Sequence, residues 1–291
     1  YTAGIAKRYN IWVKNKIDTF YFNVTGKPEL INFDAEKILL AEKTENKTEE
    51  NYINQYKYAR NYFDRKEAID FFAKKNMPEI AKGLHDKFYK IRIATMQKIG
   101  SSPYKADPVV LSDIEEMAKK DYNTNAKAAA INYLVKNGDK KYLPIYQAAV
   151  NDSSYSVAGA ALKGLIALDS SSAYTLAKKY SADAKDDLGA VVSKVMLEKG
   201  SEADFDVVAK SYDDAPPSQE KLAQTAQFGE YLLKVNDVNK IKLGIDYMMR
   251  FRNMIPKQFL SFVDPTYKEA FDNLAKAKGS EIDAYIKSVF K

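Results

Sequence analysis

Cysteine is absent from the 291 residues, and histidine occurs once, at His85. Without thiols the chain cannot be a disulfide scaffold, build a thiolate metal site or use a cysteine nucleophile. A single imidazole excludes any site that needs two, and a Ser-His-Asp arrangement would have to recruit His85. No apolar run approaches the roughly 20 residues that a bilayer-spanning helix requires, so no membrane span is expected. Arginine is also scarce. Only Arg8, Arg60, Arg65, Arg92, Arg250 and Arg252 stand among 45 basic residues, and the rest are lysine. The net charge of +6 therefore rests on scattered lysines interleaved with Asp and Glu. Base and phosphate recognition favour the guanidinium fork, so no nucleic-acid partner is expected.

Catalytic motifs are missing as well. The chain holds no H-E-x-x-H, G-x-S-x-G, G-x-x-x-x-G-K-[ST] or G-x-G-x-x-G. Glu115-Glu116 and Asp186-Asp187 are neighbours in sequence, so on a helix they diverge by about 100° and do not pair into a site. His85 precedes Asp86 and reads as a helix-end residue. No catalytic, cofactor-binding or metal-ligating residue is assigned.

What is present is an ordinary globular composition, with 46% hydrophobic and 29% charged residues. The first residue is Tyr1, and the start shows no signal-peptide pattern. The expectation is a chain cut from something longer, with any targeting signal upstream.

Residues 1–45 read as the C-terminal part of a β-sandwich. Tyr9, Ile11 and Val13 alternate with polar or outward residues, as do Phe20, Phe22 and Val24. Short apolar segments follow at 30–33 and 38–40. These strands are too few for an independent domain.

Residues 46–291 read as helical. Residues 43–49 form a polar linker, with Thr48 placed to cap the first helix. Asp86, Asp121, Asp152 and Asp183 align at separations of 35, 31 and 31 residues. Five, eight and thirteen positions after each stand apolar residues, for example Ile91, Ala94 and Ile99, or Val157, Ala160 and Leu165. Second helices are expected at 110–119, 142–150, 173–180 and 205–211. Three or four further helices are expected around 219–235, 237–251, 256–278 and 280–290, divided by Pro256 and Pro265. The period predicts a mainly α protein, a HEAT-like α-α superhelix (solenoid) in which each Asp caps an inner helix. The small residues of Val157-Ala158-Gly159-Ala160-Ala161 suit close helix approach. Arg250 and Arg252 flank Phe251, and one of them is a candidate to hold a peptide carboxylate bidentately.

The run Thr19-Phe20-Tyr21-Phe22, Gly26-Lys27-Pro28-Glu29-Leu30-Ile31-Asn32-Phe33-Asp34 and Ile38-Leu39-Leu40 resembles a junction in the aminopeptidase N family of zinc peptidases. There a small β-sandwich leads through a K-P turn and an apolar-N-F-D segment into a helical C-terminal domain. Asp64-Arg65-Lys66-Glu67-Ala68 resembles the start of that domain. The resemblance covers about 50 residues; the remainder matches only as a helical repeat array.

It implies a multidomain metallopeptidase parent whose zinc and catalytic residues lie in an upstream domain, with no cofactor in this part. This part would cap the catalytic cavity and gate peptide access. Its partners would be the upstream catalytic domain of the same polypeptide and peptide substrates. The alternative from the residues alone is a free-standing helical-repeat scaffold that binds a protein partner.

Overall fold

The computed structural model describes residues 1–2, 4–182 and 184–290. It is mainly helical, and the helices begin where the polar linker ends. Thr48 accepts the Asn51 N–H while the Asn51 side chain accepts the Thr48 N–H, a reciprocal cap that opens α1, Glu49–Tyr58. The chain divides into two compact units, 1–134 and 135–291.

Unit 1 holds α1, α2 (Tyr62–Lys74), α3 (Tyr89–Ile99), α4 (Pro108–Lys120) and most of α5 (Thr124–Asn137). Short 3-10 turns at Pro78–His85 and Pro103–Ala106 link them. Helix α1 packs on α2, α2 on α3, and the 78–85 turn fills the angle between α2 and α3. Ile69, Phe72, Ile80, Leu84, Ile91 and Ile99 form the buried centre. Each such side chain contributes about 1.5–3 kcal/mol of burial.

Unit 2 continues with α6 (Leu143–Ala149), α7 (Tyr155–Leu168), α8 (Ala173–Tyr180), α9 (Asp186–Lys199), α10 (Phe205–Asp214), α11 (Gln219–Leu232), α12 (Val238–Met254), α13 (Leu260–Lys278) and α14 (Ser280–Val289). Helices pack on the next but one: α7 on α9, α9 on α11, α11 on α13, α10 on α12, and α12 on α14. Helices α9, α10, α11 and α12 thus each meet helices both before and after them in the chain. Close approach of α7 to α9 depends on Gly159. A Cβ there would stand 2.7 Å from the Asp187 carbonyl carbon and 2.8 Å from its oxygen. Gly164 lies equally close to the Tyr146 ring, at 2.8 Å. The small residues of α7 therefore do what their spacing suggests.

A second regularity runs through both units. Hydrogen bonds recur between residues about 30 apart. Tyr104 and Tyr133 each donate to a backbone carbonyl 28 residues back, of Asn76 and Lys105. Tyr231 donates to the Ser201 carbonyl 30 residues back, and Lys199 to that of Ser170, 29 back. These separations are close to the 31 and 35 residues that separate the aligned aspartates.

Three expectations need correction. Among the described residues no strand forms in 1–45; Thr2 and Ile5 share one isolated bridge. The alternating side chains have no partner layer: Trp12, Val13, Ile17, Tyr21, Ile31 and Leu40 are all exposed. Period-two patterning yields a strand only where a neighbour takes up the backbone N–H and C=O groups, and no neighbour does so here. The helix-opening aspartates are also displaced from the cap. Asp86, Asp121 and Asp152 each accept the N–H two residues on, of Phe88, Asn123 and Ser154. Those later residues occupy the cap position at α3, α5 and α7, and Asn123 itself caps α5 through the Asn125 and Ala126 N–H groups. Asp183 lies outside the described residues. Finally, Pro265 does not divide two helices but sits within α13.

Candidate functional site

In unit 1, buried polar side chains gather at two places. The first is the segment that leads into the helices. Leu30 is fully buried, and Asn32 donates to Asp64 Oδ2 at 2.9 Å. Lys37 Nζ lies 2.6 Å from Asp64 Oδ1. Lys37 reaches this point because it adopts a left-handed φ of 56° while its ammonium also holds the Asn32 side chain and the Asp34 carbonyl. Asp34 in turn accepts the Ile38 and Leu39 N–H groups. Asp64 has no solvent exposure, and the Lys37 ammonium pairs with its carboxylate. On the α1 side, the Glu29 carbonyl accepts from both Asn51 and Asn54.

The second place is an arginine–aspartate ladder. Arg65, on α2, donates Nε to Asp86 Oδ2 at 2.8 Å and Nη2 to Oδ1 at 3.3 Å. Arg92, on α3, repeats the fork on Asp121, at 2.8 and 2.6 Å. Its Nη1 donates to the Asp86 backbone carbonyl at 2.7 Å, which ties the two rungs together. The Tyr122 ring lies under the Arg92 guanidinium at 4.7 Å, and its hydroxyl donates to the Lys87 carbonyl. Tyr56 completes the upper rung, 3.1 Å from Asp86 Oδ2, and burial beside that carboxylate drives its phenol well above the usual tyrosine range. Sequence reading took these aspartates as caps and missed their arginines. The signal was there in part, since Arg92 stands six residues after Asp86.

Beside the upper rung an open cleft of about 320 Å³ is lined by Tyr56, Tyr58, Arg60, Arg65, Asp86 and Lys87, among others.

Arg250 and Arg252, the candidates for a peptide carboxylate, both meet carboxylates of the chain itself. Arg252 holds Asp264 bidentately, at 2.7 and 2.9 Å. Arg250, more exposed, pairs with Asp213. Asp213 also marks the end of α10, where the buried Lys221 ammonium donates to the Asp213 and Ala215 carbonyls, at 3.0 and 2.7 Å. Burial holds the Lys221 pKa below the usual lysine range. The Tyr212 and Phe251 rings flank it at 5.2 and 5.1 Å. This cluster fastens α10, α11 and α12 together at one point; the Arg252 fork is filled, while Arg250 meets a carboxylate through one nitrogen.

His85 is exposed and pairs with Asp113 across 2.9 Å. Among the described residues no group of three or more His, Asp or Glu side chains is arranged to hold a metal ion. Among the described residues no helix is long and apolar enough to cross a membrane. No protein-family model matches the chain, and no curated protein matches its sequence.

Proposed function

We propose that this chain is the non-catalytic C-terminal part of a zinc-dependent aminopeptidase of the aminopeptidase N type. It caps the catalytic cavity of its parent and gates the entry of peptides. The reading rests on the resemblance of residues 19–40 and 64–68 to the junction of that family. One observation carries it: Asn32 and Lys37, from the N-terminal stretch of the resemblance, converge on buried Asp64, which opens its other stretch. Two segments that resemble one junction, about thirty residues apart in sequence, are thus in direct contact. A chance match of two short motifs gives no reason for such a contact.

On this reading the helices form a HEAT-like α-α superhelix. The packing of each helix on the next but one in unit 2, and the hydrogen bonds that recur at about 30 residues, support it. Residues 1–45 take up strand structure as the end of a β-sandwich only when the strands they pair with are supplied. The exposed Trp12, Tyr21, Ile31 and Leu40 are the faces that sandwich would cover. The zinc and its ligands belong to the upstream catalytic domain, which is the partner of this chain; peptides are what the assembly admits.

Metal analysis tests the proposal. The native gene product, read upstream of Tyr1, should contain an H-E-x-x-H and bind one zinc ion, while the isolated chain binds none tightly. A native product without that motif and without zinc would leave a helical-repeat scaffold that binds a protein partner. Stoichiometric tight zinc in the isolated chain would also overturn the proposal.

A further inference from the structure

Of the six arginines, five meet a carboxylate of the chain: Arg8 with Glu36, Arg65 with Asp86, Arg92 with Asp121, Arg250 with Asp213 and Arg252 with Asp264. Arg60 has no side-chain partner among the described residues, and it lines the cleft of about 320 Å³ beside the Arg65–Asp86 rung. In a chain that commits its other guanidinium groups to carboxylates, the unpaired one stands at a cavity.

The cleft is built for negative charge. Lys87, exposed and also without a side-chain partner among the described residues, stands on its wall with Arg60. Lys57, on the same wall, lies over the Tyr58 ring at 4.8 Å. Asp86 is the one acidic side chain in the lining, and its oxygens are taken. Oδ2 accepts from Arg65 and Tyr56, and Oδ1 accepts from Arg65 and the Phe88 N–H. Its charge is matched by Arg65. Arg65 is only 6% exposed, yet three of its five N–H groups account for every acceptor it meets: two reach Asp86 and one the Arg60 carbonyl. Arg65 also lines the cleft, and among the described residues its other two N–H groups meet no acceptor; buried donors of this kind are costly to leave unsatisfied.

We infer that this cleft is a binding site for an oxyanion, a phosphate or a carboxylate group, held by Arg60 and Lys87 beside Arg65. The inference does not depend on the peptidase reading. Charge-assisted hydrogen bonds from a guanidinium give such a site both its strength and its geometry.

The test is a two-dimensional amide NMR titration of the whole chain at fixed ionic strength. The probes are inorganic phosphate, a short peptide with a free C-terminal carboxylate, the same peptide amidated, and chloride. The expected result is saturable shifts confined to residues 56–66 and 85–88, with chloride inert. Saturation by phosphate alone identifies a phosphate-bearing ligand. Saturation by the free peptide and not by its amide identifies a carboxylate. The double variant Arg60→Gln with Lys87→Gln, both at exposed positions, should weaken binding by at least about tenfold. Lys276→Gln, exposed and in the other unit, should leave it unchanged. Shifts that chloride reproduces, no saturation by either oxyanion, or undiminished binding in the double variant would overturn the inference.

Discussion

Asp64 and Arg92 are the two side chains on which most of the buried polar structure turns. Each is nearly excluded from water and each is matched by a specific partner. An ion pair of this kind is a poor source of net stability, but removal of one member leaves the other charged and buried. Arg92→Ala strips the fork from Asp121 and a donor from the Asp86 carbonyl. It should cost about 3–5 kcal/mol in urea unfolding. Asp64→Asn keeps the shape but leaves Lys37 without a counter-charge. Its cost should be of the same order, about 3–5 kcal/mol, with the loss concentrated in protection of the 29–40 amides from hydrogen exchange. A loss below about 1 kcal/mol in either variant would mean that water reaches the pair. Neither partnership was legible in the sequence, because a residue's own neighbours say nothing about which carboxylate it meets 27 or 29 positions later.

Among the elements, the helices of unit 2 were the most legible. The expected 173–180 helix is Ala173–Tyr180, and the expected 280–290 helix is Ser280–Val289. Apolar side chains at helical spacing decide such elements locally, and the Asp-led turns at Asp139, Asp169 and Asp237 punctuate them. The strands expected in 1–45 went the other way, because a strand is completed by its neighbour and not by its own pattern. The aspartates that precede α3, α5 and α7 were rightly located at helix starts but sit two residues too early to cap. An Asp that bonds the N–H two residues on and one that caps look alike in sequence, since both precede the apolar periodicity. Gly159 is the sharpest test at this scale. Its missing Cβ is replaced by the backbone of Asp187 and Leu188, which cannot rotate away. Gly159→Ala should therefore destabilise unit 2 by about 1–3 kcal/mol in chemical denaturation, despite the better helix propensity of alanine. A stabilised variant would mean that α7 and α9 slide apart freely.

Over the whole molecule, stability should depend on pH most steeply on the alkaline side. Burial pushes Tyr146 and Tyr267 up to about 12, and a hydrogen bond to Asp246 raises Tyr285 to about 12. Burial drives Tyr56, Tyr212 and Tyr231 well above the ordinary range too. Above about pH 10 the unfolded chain releases phenolic protons that the folded chain retains. The stabilisation these groups provide is complete below pH 10 and is lost as the pH rises through the folded values. The melting temperature should fall continuously from about pH 10 upward, with the phenolate absorbance rising at the unfolding transition. Free titration of all tyrosines near pH 10 without unfolding would contradict the buried positions. On the acid side, hydrogen bonds from Ser171 and Ser172 bring Asp169 down to about 2, and the Asn236 and Asp237 N–H groups lower Glu202. The stability these carboxylates add is present above their ordinary pKa values, near 4, and is lost as the pH falls through the folded ones.

On the proposed reading, the contacts at Asp64 and the repeat spacing belong to a cap for an upstream catalytic domain. The direct measurement is release of N-terminal residues from a peptide series, with the native full-length gene product and the isolated chain assayed side by side. The account predicts release by the native product, with a preference set by peptide length, and none by the isolated chain. Hydrolysis by the isolated chain, or none by the native product, would contradict it.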